Sequence, residues 1–150
     1  MIREDLLNAQ RYYSSGYLSK KEITDALDRA IILIDENIKK FGETYPSPAT
    51  KNGFYEKMKN IEWTNGFWTG MLWIAYEYTG DEKYRQLADR HVDDFLNRIE
   101  DKVEVDHHDL GFLYIPSCVS AYKLTGNENA KKASILAADQ LISRYQEKGG

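Results

Sequence analysis

WTNGFWTGMLWIAYEYTGDEKYRQLADRHVDDFLNR, residues 63–98, and DLGFLYIPSCVSAYKLTGNENAKKASILAADQLISR, residues 109–144, are two copies of one pattern. At an offset of 46 residues Tyr76 falls on Tyr122, Thr79-Gly80 on Thr125-Gly126, Glu82 on Glu128, Leu96 on Ile142 and Arg98 on Arg144. A one-residue slip near the start brings Gly66-Phe67 onto Gly111-Phe112. Self-similarity at such a period marks stacked supersecondary units, each unable to bury its apolar face alone. About two and a half units fit in the 150 residues, so the chain is expected to be part of a larger architecture.

Each copy opens with a segment apolar on nearly all sides, about 65–78 and 109–124, including Phe67, Trp68, Met71, Leu72, Trp73 and Ile74 in the first. The first is expected to be buried all round, and if the ring is incomplete the second is expected to leave apolar side chains such as Val119 and Tyr122 uncovered. Each copy closes with an amphipathic segment, about 81–99 and on through Tyr145. Tyr84, Leu87, Ala88, Val92, Phe95, Leu96 and Ile99 form the apolar stripe of the first. Buried helix, Thr-Gly turn and half-exposed helix, repeated, predict an all-α fold of helical hairpins in two layers. Barrels of hairpins fit this best, and an open solenoid also fits. Pro116 is tolerable only in the first turn of its helix or at a kink.

N-terminal to the repeat, Ser19 and Glu22 have capping-box spacing. Ile23, Ala26, Leu27, Ala30, Ile31, Ile34, Ile38 and Phe41 follow helical spacing up to Gly42. Residues 43–62, with Pro46, Pro48 and Gly53, read as a long connection, functional or mobile. The domain reading is an N-terminal arm over 1–19, where Tyr12-Tyr13 and Gly16-Tyr17 leave a short helix or an arm open, and an incomplete helical domain over 20–150.

With 42% hydrophobic and 29% charged residues the composition is globular. A net charge of −4 gives no support for nucleic-acid or membrane-surface binding. Eleven Tyr and three Trp suggest flat, amphipathic side chains lining a pocket, or packing between helices. The single cysteine, Cys118, excludes an internal disulfide and fits a reducing compartment; it sits in an apolar run and reads as inert core. No signal peptide or membrane-length apolar run is evident, so a cytoplasmic setting is expected.

Trp63 and Asp109 are one repeat apart, so their loops are expected side by side at one end of the inner layer. Helix N-termini there would favour an acidic ligand. Asp106-His107-His108-Asp109 is the densest cluster of chemically capable groups. Asp109 reads either as an N-cap, the commoner role for such an Asp, or as a site residue. Adjacent histidines rarely converge on one ion, so neither a metal nor any other cofactor is expected. Trp63 is the candidate for stacking on a sugar or ring. Gly66 and Gly70 allow either close helix packing or close approach of a ligand.

The motifs WTNGFWTGMLW (63–73) and HHDLGFLY (107–114), with the YEYTGD turn (76–81), resemble those of the unsaturated glucuronyl hydrolases, glycoside hydrolase family 88. The resemblance extends from about residue 25 to the end. It implies an (α/α)6 barrel of six hairpins acting on oligosaccharides that carry a 4,5-unsaturated uronic acid at the non-reducing end. The implied reaction is hydration of the vinyl ether. A carboxylic acid protonates C4, water adds at C5, and the resulting hemiketal rearranges and releases the sugar. Asp109 matches the earlier of the family's two acids, and His108 and Trp63 match neighbouring pocket positions. The second acid and the later hairpins would lie beyond Gly150. The implied partner is thus an unsaturated uronyl oligosaccharide, and an open barrel edge implies self-association. A non-catalytic helical-repeat binding module is the competing reading.

Overall fold

The computed structural model describes residues 7–10 and 16–148, which fall in two compact units, 1–33 and 34–150. Residues 1–6 and 11–15 of the expected arm, with Tyr12 and Tyr13, lie outside the described residues; Gly16 and Tyr17 have no regular secondary structure and are exposed. Helix α1, Lys20–Phe41, starts in the first unit. There the capping box closes as its spacing requires. The Ser19 amide donates to Glu22 Oε2 at 2.8 Å, and the Glu22 amide donates to Ser19 Oγ at 3.2 Å.

The second unit is built on two helical hairpins. Helix α2 spans Asn65–Thr79 and α3 spans Glu82–Glu100. The second hairpin enters through α4, Leu110–Tyr114, a π-helical turn at Ile115–Val119 and α5, Ser120–Thr125, and returns along α6, Glu128–Ser143. The two hairpin turns match closely. Gly80 and Gly126 sit at φ +71° and +70°, a left-handed conformation that glycine adopts without a Cβ clash. Thr79 and Thr125 each turn the hydroxyl back to a carbonyl four residues earlier, Ala75 and Ala121. Asp81 and Asn127 then cap the next helices through the amides of Lys83 and Ala130. The offset of 46 is therefore a structural repeat.

Glycine brings the inner helices together. A Cβ on Gly66 would collide with the carbonyls of Phe112 and Leu113, and one on Gly70 would stand 2.7 Å from Pro116 Cβ. Close packing thus accounts for both residues. Pro116 has no N–H to return to Phe112, and the helix widens to the π turn at that point. Beneath the contact lie Trp73, Leu72, Leu110, Leu113, Phe95 and Val92, all fully buried. Cys118 is buried with them, its thiol pushed up to about 12 by desolvation, which fits inert core.

Two expectations are corrected. The segment 43–62 is not a plain connection: β1, Tyr45–Lys51, and β2, Phe54–Met58, form an antiparallel hairpin. Its two-residue turn is Asn52-Gly53, both at positive φ, as a primed hairpin turn demands. The register shifts between Pro46 and Thr50; there Ser47 Oγ accepts from the Glu56 amide, and Pro48 has no N–H to give to the ladder.

Nor is the first inner helix buried all round, and the second is uncovered on one side, as an open edge implies. Phe67, Met71, Ile74 and Tyr78 form one exposed stripe at helical spacing, and Phe112, Ile115 and Tyr122 form a second. Apolarity on all sides anticipates a neighbour on each side, and these stripes stay partly exposed.

Candidate active-site cleft

The loops that lead into the two inner helices, 59–64 and 101–109, form the walls of an open cleft of about 320 Å³ lined by Ile61, Glu62, Trp63, Glu104, His107 and Asp109. Trp63 and Asp109, one repeat apart, share it. Trp63 is 43% exposed and rests on an aromatic group, with ring centroids 6.2 Å from Phe67 and 5.9 Å from Phe112. Phe67 and Phe112 stand 5.7 Å apart. The repeated Gly-Phe dipeptide was the sequence signal for this pair.

Asp109 holds the N-cap position of α4 yet makes no capping hydrogen bond. Its backbone amide donates to His107 Nδ1 at 3.2 Å, and its carboxylate lies 3.3 Å from His108 Nε2. Because His107 Nδ1 accepts, the ring proton is on Nε2, which donates to the Glu104 carbonyl at 3.0 Å. His107 is thus a neutral brace inside its loop, and its contact with the Asp109 carboxylate at 3.9 Å is no hydrogen bond. His108 is 88% exposed on its side chain and lies beside the Asp109 carboxylate.

Chemically, the cleft offers a flat aromatic face, a partly exposed carboxylate and an imidazole beside it. The lining carries three acidic side chains, Glu62, Glu104 and Asp109, and no Lys or Arg. The bias towards an acidic ligand expected from helix N-termini is therefore not carried by this lining. Among the described residues no His, Cys, Asp and Glu side chains are grouped so as to hold a metal ion. His107 belongs to the Asp-His-His-Asp cluster that stands out in the sequence, whereas Glu62 and Glu104 carry no signal there beyond lying near Trp63 and Asp109 in the chain.

The chain's residues 33–150 match the family model described as Glycosyl Hydrolase Family 88. The unsaturated chondroitin disaccharide hydrolase of Streptococcus agalactiae serotype III is 51% identical over 147 residues, covering 98% of this chain and 37% of the relative. The crystal structure of unsaturated glucuronyl hydrolase from Streptococcus agalactiae superposes with a TM-score of 0.93 at 51% identity, over 97% of this chain and 37% of that one. A mutant of that enzyme complexed with dGlcA-GalNAc6S superposes with a TM-score of 0.91 at 49% identity, over 95% and 38%. The chain spans a little over a third of the length of these relatives.

Proposed function

The chain belongs to glycoside hydrolase family 88, and from that premise we propose that its cleft receives the unsaturated uronic acid of an oligosaccharide released by a polysaccharide lyase. Residues 20–150 are read as the N-terminal part of an (α/α)6 barrel catalytic domain. The reaction is vinyl ether hydration. A proton is delivered to C4, the hydroxide of water joins C5, and the hemiketal opens with release of the leaving sugar.

Asp109 faces the sugar and assists as a carboxylate, His108 contacts both the substrate and Asp109, and Trp63 stacks against the ring. A proton donor must sit within hydrogen-bond reach of the reacting carbon, and geometry is the first requirement. The observation that carries this reading is the meeting of Trp63 and Asp109 in one cleft, with the Asp109 carboxylate spared from capping. A second acid and the cations for the uronate carboxylate belong, on this reading, to a longer polypeptide.

The exposed stripes of the inner helices supply the face against which further hairpins pack; in the 150-residue chain that face supports self-association. No described helix is long and apolar enough to cross a membrane. A cytoplasmic setting is part of the proposal, supported by the single buried thiol of Cys118.

The test is continuous loss of the ultraviolet absorbance of an unsaturated uronyl disaccharide. Little or no turnover is expected from the 150-residue chain, because one acid of a catalytic unit commonly leaves only a small residual rate. The longer polypeptide is expected to turn over, with Asp109→Asn slowing it by orders of magnitude. Robust turnover by the 150-residue chain, lost in Asp109→Asn, would contradict the incomplete-site reading.

A further inference from the structure

Arg98 is 3% exposed, lies near the end of α3, and spends four of its five N–H groups on two separate loops. Nη1 donates to Asn60 Oδ1 at 2.8 Å and to the Glu62 carbonyl at 3.1 Å. Nε donates to the Val103 carbonyl at 3.1 Å, and Nη2 donates to the Glu104 carbonyl at 2.8 Å. The first pair of acceptors belongs to the loop that carries Trp63. The second pair belongs to the loop that carries His107 and Asp109. None of the four acceptors is a carboxylate, so all four hydrogen bonds of the guanidinium go to uncharged groups of the loops.

The second loop needs such a hold. Lys102 and Glu104 stand at φ +54° and +46°, a region that non-glycine residues seldom occupy and that costs free energy unless the surroundings enforce it. Arg98 grips the carbonyls of Val103 and Glu104, within that strained stretch. Glu104 in turn accepts from His107 Nε2, and His107 accepts from the Asp109 amide. A continuous chain of hydrogen bonds thus runs from Arg98 to the backbone of Asp109.

The repeat supplies an independent parallel. Arg144, the counterpart of Arg98 one repeat later, pairs with Asp106 in the same loop from the end of α6. Equivalent arginines at the ends of successive outer helices thus both reach residues 101–109.

We propose that Arg98 is the positioning residue of the cleft, a clamp that sets the loop of Trp63 and the loop of Asp109 at a fixed separation; its role in sugar binding rests on the function proposed above. A planar fork suits this task, whereas lysine would bring the same charge with no fixed directions for its donors.

Amide hydrogen exchange on the 150-residue chain, wild type beside Arg98→Lys, tests the clamp. Exchange in 59–64 and in 101–109 is expected to quicken together by about tenfold or more, as the loss of charged hydrogen bonds implies, while the centres of α2 and α3 stay protected. No change in the loops, or a change in one alone, would overturn the proposal. So would a uniform rise across every helix, which would mark a residue needed only for folding.

Asn60→Ala removes one acceptor and leaves the guanidinium in place. It is expected to quicken both loops less, and its effect combined with Arg98→Lys is expected to fall short of the product of the two, because they share one bond. Independent effects would contradict the clamp. Added dGlcA-GalNAc6S is expected to slow exchange in both loops of the wild type and in neither loop of Arg98→Lys. Slowing in Arg98→Lys equal to that in the wild type would contradict the positioning role. A wild type indifferent to the disaccharide would remove the sugar-binding reading, and the exchange comparison without ligand would still decide the clamp.

Discussion

The backbone amide of Asp109 donates to Nδ1 of His107 across 3.2 Å, while the Asp109 carboxylate makes no bond to its own helix. A residue at an N-cap position that does not cap is available for other work. Asp109→Ala is therefore expected to change stability by less than about 0.5 kcal/mol, as at ordinary surface positions. Asn127→Ala, which removes a formed cap to the Ala130 amide, is expected to cost about 1 kcal/mol. Urea unfolding of the two variants checks the contrast; equal losses would return Asp109 to a capping role.

His91 gives the fold a pH dependence. It is buried between Thr69 Oγ1, 3.0 Å from Nδ1, and the Gly42 carbonyl, 3.3 Å from Nε2, with Tyr45 against its ring. Desolvation lowers its pKa from 6.5 to about 4. Between those values the unfolded chain binds more protons than the folded one, so stability rises with pH across that window. The contribution is complete above pH 6.5 and is lost as pH falls towards 4, on the order of 3 kcal/mol in all. Denaturant unfolding at pH 7 and pH 4.5 is expected to show the loss in wild type and a smaller one in a folded His91→Gln variant.

Gly66 packs directly against the backbone of the second hairpin. A methyl group there would meet backbone atoms of Phe112 and Leu113, which cannot swing aside as a side chain does. Gly66→Ala is expected to destabilise by about 3 kcal/mol or more, read as a drop in melting temperature. Gly80→Ala, with open space around its Cβ but φ +71°, is expected to cost about 1 kcal/mol from backbone strain alone.

The hairpins were legible because turn chemistry and apolar period agreed: Thr79-Gly80 and Thr125-Gly126 mark both turns, and the matched positions kept their places in space. The β-hairpin was hidden by Pro46 and Pro48, which read as breakers, although Asn52-Gly53 carried the turn signal. The exposure of Phe67, Met71 and Ile74 could not be read locally, since an apolar helix looks the same whether or not its last neighbour is present. At the site, Trp63 and Asp109 came from the repeat and the family resemblance. Arg98 was visible only as the repeat partner of Arg144, and its hold on the carbonyls of Glu62, Val103 and Glu104 is a backbone contact that no side-chain motif records.

The exposed stripes predict concentration-dependent association of the 150-residue chain. Sedimentation velocity is expected to show species larger than a monomer, and Ile74→Lys with Ile115→Lys is expected to shift the chain towards monomer. A wild type that stays monomeric at high concentration would count against the stripe as a packing face.

The most direct measurement is a nuclear magnetic resonance titration of the 150-residue chain with dGlcA-GalNAc6S. Shifts are expected to concentrate at the Trp63 indole N–H and at the amides of His107, His108 and Asp109, and to weaken in Trp63→Ala. Shifts centred on another face of the molecule, or unchanged by Trp63→Ala, would contradict sugar binding in this cleft.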